Sequence, residues 1–187
     1  MEAMSLAIDP VIGLTCRLLT ALIFGSAALG KIRNRAHFTA VLRDYQILPA
    51  SCMAPAAAIV IAAEGFVTLA IWFPPLRETA AGVAVALLVA YALAIALNLW
   101  RGRREIDCGC SFGIAEGGSG EPISWVLPLR NGILASICLI AGLPGAHSPS
   151  VPGYGVALVA ATSFAICYRT WGVLLANRPQ LLRIRES

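Results

Sequence analysis

The sequence predicts an all-α, polytopic membrane bundle, with about five transmembrane helices and one interfacial amphipathic helix. Three observations carry that prediction. Of 187 residues, 58% are hydrophobic and only 13% are charged, with a mean hydropathy of +0.78. Soluble domains are nearer half apolar and a quarter charged. The apolar residues fall into runs of about 20, the length that crosses a bilayer as a helix. The basic residues cluster beside those runs, which is a topology signal rather than a nucleic-acid footprint. No nucleic-acid partner is expected. The chain reads as a single integral membrane domain over residues 1–187, with the lipid bilayer as its first partner.

The spans are expected at about 10–29, 54–73, 79–99, 123–143 and 154–176. Gly30-Lys31 stops the first, Pro74-Pro75 the second, and Arg101-Gly102-Arg103-Arg104 the third. The fourth is the weakest, because Pro128, Arg130 and Asn131 interrupt it. Between the first two spans, 34–48 reads as the interfacial helix. Phe38, Val41, Leu42, Tyr45 and Leu48 form one stripe, and the arginines lie mostly elsewhere. Asn34 is a capping residue and Pro49 a stop. Such a segment suits the headgroup plane; the alternative is an ordinary connecting helix. The first nine residues carry Glu2 and Asp9 and no Lys or Arg, so no signal peptide is read there.

With five spans, Lys31, Arg33, Arg35, Arg43, Arg101, Arg103, Arg104, Arg178, Arg183 and Arg185 fall on one side, and Arg77 alone on the other. The expectation is a plasma-membrane protein with its N-terminus outside and its C-terminus in the cytoplasm.

The candidate chemistry lies in the connection after the third span, at Asp107-Cys108-Gly109-Cys110. Two thiols one residue apart can bind metal, exchange electrons as a dithiol/disulfide pair, or do neither. Their Cα atoms would be about 6.6–7.2 Å apart in an extended chain, against the 4.4–6.8 Å typical of a disulfide. The chain must bend between them, and Gly109 eases the bend. A ring so small is strained, and strained, exposed disulfides are oxidising and labile. Cys108 and Cys110 are thus candidate redox residues, with unpaired loop thiols as the alternative. Cys52, just before the second span, is a possible further thiol. Cys16, Cys138 and Cys167 lie within apolar runs, where cysteine behaves as a small hydrophobe.

Polar groups within the spans are functional candidates by default. Glu64 sits roughly 16 Å above the inner end of the second span and Arg17 roughly 20 Å up the first. A salt bridge between them is the expectation, either a functional pair or a structural one that only fixes helix register. Arg130 and Arg169 fall roughly 9 and 10 Å from the inner ends of their spans, near Asn98 and Asn131. A positive pocket from these arginines would favour the thiolate, although Asp107 opposes it; snorkelling to lipid phosphate is the other reading.

Taken in series, Gly30-Lys31, Tyr45-Gln46-Ile47-Leu48-Pro49, Glu64, Asp107-Cys108-Gly109-Cys110, Ile123-Ser124-Trp125 and Arg130-Asn131 resemble the methylamine-utilisation protein MauE family, which is related to the DoxX-like membrane proteins. The resemblance runs from about Gly25 to about Leu143. One departure is local: Ser111 intervenes between the second cysteine and Phe112-Gly113. The resemblance implies a bacterial inner-membrane protein that assists maturation of methylamine dehydrogenase. Its implied partners are a thioredoxin-like protein of the MauD type and the client enzyme's small subunit, whose disulfides are formed. It gives Cys108 and Cys110 the redox role, and Glu64, Arg130 and Asn131 match its pattern. Disulfide formation belongs outside the cytoplasm, whereas the arginine count puts the cysteine loop inside. Either that loop re-enters the membrane, or electrons are relayed across it, or the role is not direct oxidation.

Three function classes follow: a thiol–disulfide oxidoreductase or its accessory, a non-catalytic scaffold docking a thioredoxin-like protein, and a small transporter. The last rests only on the intramembrane charges. No metal site is expected, because zinc prefers four Cys/His ligands and His37 and His147 fall on opposite sides. A quinone could accept electrons between helices, but nothing in the residues demands one.

Overall fold

The computed structural model describes residues 8–103, 124–144 and 149–185, with side chains of the last helix described as far as Leu174. Among the described residues lie six α-helices, α1 (Pro10–Arg33), α2 (Arg35–Asp44), α3 (Met53–Ala70), α4 (Arg77–Trp100), α5 (Val126–Gly142) and α6 (Val151–Arg185), with short 3-10 turns at Ala50–Cys52 and Pro74–Leu76. An all-α membrane bundle is what the composition predicted. Four of the helices are long and apolar enough to cross a bilayer. The fifth apolar helix, α5, has 17 residues, about 25 Å of rise, and is the shortest candidate.

Local chemistry explains the ends. Asp9 Oδ1 accepts from the backbone N–H groups of Val11 (2.8 Å) and Ile12 (3.3 Å), and Pro10 fills the first helical position of α1. Asn34 Oδ1 accepts from His37 N at 3.2 Å and starts α2. That helix ends before Leu48, and Pro49 does not stop it. Gln46 takes φ +48, a left-handed residue that closes the turn after Tyr45. Pro128 does not break α5, because it lies in the first turn, where no intrahelical donor is needed. The α6 backbone stays helical to Arg185, through Pro179.

The core stacks in three layers, which shows that successive membrane-length helices alternate in direction. At one end Val41, Tyr45, Ile95, Leu99 and Leu127 meet. In the middle Ile23, Phe24, Val67, Ala84, Leu88, Leu134 and Cys138 pack together. At the far end Cys16, Ala70, Ile71, Ala80, Ala81 and Ala141 close the bundle. Small residues let backbones approach where burial alone cannot drive association in lipid. Among the described glycines the tightest approach is that of α5 on α4, where a Cβ built on Gly142 would lie 2.5 Å from Ala81 Cβ. The outer surface is apolar: Ile59, Leu69 and Leu129 are each 68% exposed. Such a surface belongs in hydrocarbon.

Candidate functional site: a buried ion pair at the junction of α1, α3 and α4

Glu64 is not bonded to Arg17. Its carboxylate oxygen Oε1 lies 2.6 Å from Lys31 Nζ, with side chains 1% and 6% exposed. The hydroxyl of Tyr91 donates to the same Oε1 at 2.7 Å. Helix direction explains the exchange of partners. Side chains lean toward the N-terminus of their helix. From near the end of α1, Lys31 leans back into the bundle. On the antiparallel α3, Glu64 leans toward it. Arg17, on the same helix but nearer its start, leans away from Glu64. It donates from Nε to Ala141 O (3.3 Å) and from Nη2 to Leu143 O (3.4 Å), caring for carbonyls at the end of α5.

The ammonium has further support. Lys31 Nζ lies 5.1 Å from the centroid of the Phe38 ring and 5.5 Å from that of Tyr91, within cation–π range. A lysine and a glutamate each taken from water at this depth are costly alone. Paired, hydrogen-bonded and ringed by aromatics, they are held in one geometry.

Beside the pair lies a small chamber of about 30 Å³, walled by Phe24, Glu64, Leu88, Asn131, Leu134 and Tyr168 among others. Glu64 Oε2 and Asn131 Nδ2 are buried with no hydrogen-bond partner among the described residues. Tyr91 also borders a larger, almost wholly apolar cavity of about 220 Å³ between α2, α3 and α4.

The remaining predicted residues scatter. Arg130 lies with its guanidinium carbon 5.0 Å from the Tyr168 ring centroid, so α5 and α6 share a cation–π contact. Arg169, the next residue after Tyr168, is exposed. Cys52 is an exposed free thiol beside Ser51 Oγ at 3.9 Å, whereas Cys16 and Cys138 are buried free thiols. Asp107, Cys108, Gly109 and Cys110 lie outside the described residues. The chain enters that segment from Arg103, whose Nη1 donates to Asp44 O at the end of α2, at 3.3 Å. Among the described residues no group of three or more His, Cys, Asp or Glu could hold a metal.

Two site residues escaped sequence reading. Lys31 counted as a topology charge, yet it is a buried partner. Tyr91 drew no notice in an apolar run, although a tyrosine there carries a polar end that needs an acceptor.

The chain matches the family model described as methylamine utilisation protein MauE over residues 9–144. It is 34% identical over 169 residues to the methylamine utilization protein MauE of Paracoccus denitrificans, covering 89% of each chain. The protein of that name from Paracoccus versutus is 33% identical over 162 residues, covering 86% of this chain and 85% of the relative. That of Methylophilus methylotrophus is 39% identical over 106 residues, covering 57% and 56%. No solved structure matches the chain. With its apolar helices and this match, the protein is a multi-pass membrane protein, and it belongs to the MauE family.

Proposed function

We propose that the chain serves methylamine utilisation as a membrane redox-maturation factor. Its Cys108 and Cys110 take part in forming disulfides of the methylamine dehydrogenase small subunit, with a thioredoxin-like partner of the MauD type. The family match carries this reading, because it spans residues 9–144 and so includes the cysteine pair. In the proposed exchange a thiolate of the client or partner attacks the Cys108–Cys110 disulfide and forms a mixed disulfide. A second thiolate resolves it. Two electrons and two protons leave the client dithiol, and the chain's pair is left as two thiols. The buried Lys31–Glu64–Tyr91 cluster supports the reading by holding α1, α3 and α4 in register, while Arg103 fixes the entry to the cysteine segment against α2.

The test is to change Cys108 and Cys110 to serine singly and together, and to count disulfides in the client subunit by mass spectrometry. Loss of client disulfides at unchanged membrane levels of the chain is expected. Full maturation in the double variant would overturn the redox role and leave a scaffold that docks the thioredoxin-like protein. The inner-membrane orientation, with the N-terminus outside, belongs to the same proposal. An impermeant thiol label at Ser119→Cys reports which side the cysteine segment faces.

A further inference from the structure

The chamber beside Glu64 presents one buried acceptor and one buried donor, both unmet. Glu64 is 1% exposed and Asn131 is 3% exposed. Glu64 Oε2 and Asn131 Nδ2 have no partner among the described residues, and both residues line the same space of about 30 Å³. Cavities that stay empty are apolar, and one water needs about 10–15 Å³ and at least two polar partners. The ligand that fits must donate to a carboxylate oxygen and accept from an amide N–H, in a volume too small for most organic molecules. Water meets all three conditions.

We propose that one or two waters occupy this chamber, bridging Glu64 Oε2 to Asn131 Nδ2 and so tying α5 to the buried ion pair. The other oxygen, Oε1, is committed to Lys31 and Tyr91. Oε2 is the one that faces the chamber water. The titratable and charged groups around Glu64 are Lys31 from α1, Tyr91 from α4 and Tyr168 from α6, the last bearing Arg130 of α5 on its ring. This inference is independent of the cysteine pair.

The test uses the full chain in lipid nanodiscs and water as the probe. Difference infrared spectra are recorded on exchange into D2O and into ¹⁸O-water. In the wild type an internal-water O–H band shifts both in D2O and in ¹⁸O-water, and it is perturbed in Glu64→Gln. Asn131→Leu removes the donor at similar volume, and the internal-water band is lost. Ala27→Leu, which fills the chamber from α1, gives the same result if Asn131→Leu does not fold. No internal-water band in the wild type, or an unchanged one in the folded variant, overturns the proposal.

Discussion

Lys31 at the end of α1 and Glu64 in the middle of α3 meet at 2.6 Å, with 6% and 1% of their side chains exposed. One positive and one negative charge are thereby removed from the surface and placed where three helices join. That single relationship sets what most substitutions in the bundle will do.

Removing one charge strands the other. Glu64→Gln keeps an acceptor for Tyr91 but leaves the ammonium unneutralised. Breaking a buried pair from one side costs about 3–5 kcal/mol. The double variant Lys31→Met with Glu64→Gln should lose less than the sum of the two singles. Unfolding in mixed micelles, read as a double-mutant cycle, measures the coupling. Additive losses would mean that the two groups do not interact.

Tyr91→Phe removes the hydroxyl that donates to the charged Oε1 of Glu64. The expected loss is about 1.5–3 kcal/mol, below that of Glu64→Gln. The same unfolding assay ranks the two.

The α4–α5 seam depends on a missing side chain. A Cβ at Gly142 would lie 2.5 Å from Ala81 Cβ, whereas one at Gly82 meets nothing within 4 Å. Gly142→Ala should destabilise by about 1–3 kcal/mol through overpacking, and Gly82→Ala should be tolerated. Pairing Gly142→Ala with Ala81→Gly should recover much of the loss.

The cavity of about 220 Å³ between α2, α3 and α4 is underfilled. Ala94→Leu adds apolar volume to its wall. A gain of about 0.5–2 kcal/mol is expected, the usual return of cavity filling. A drop in thermal stability would mean that the wall cannot accept the branch.

Thiol reactivity should follow exposure. Maleimide labelling of the folded chain, located by peptide mass spectrometry, should modify Cys52 and spare Cys16 and Cys138 until the bundle is unfolded. Labelling of Cys138 in the folded state would contradict its place in the central layer, where Thr20 Oγ1 lies 3.7 Å from its sulfur.

Composition and run length alone determined that this chain is a helical membrane bundle, because a bilayer tolerates few other ways of satisfying the backbone. The motif series was enough to suggest the MauE family, and Glu64 and Asn131 stood out as polar residues in apolar runs. The sequence did not reveal partners. Arg17 and Glu64 looked suited by depth along their spans, but depth ignores the direction in which a side chain leans. Only the antiparallel packing of α1 against α3 decided that Lys31 reaches Glu64 and that Arg17 turns to the carbonyls of α5. Pairing in a bundle is a property of helix direction and rotation, and neither is written in the spacing of residues along one helix.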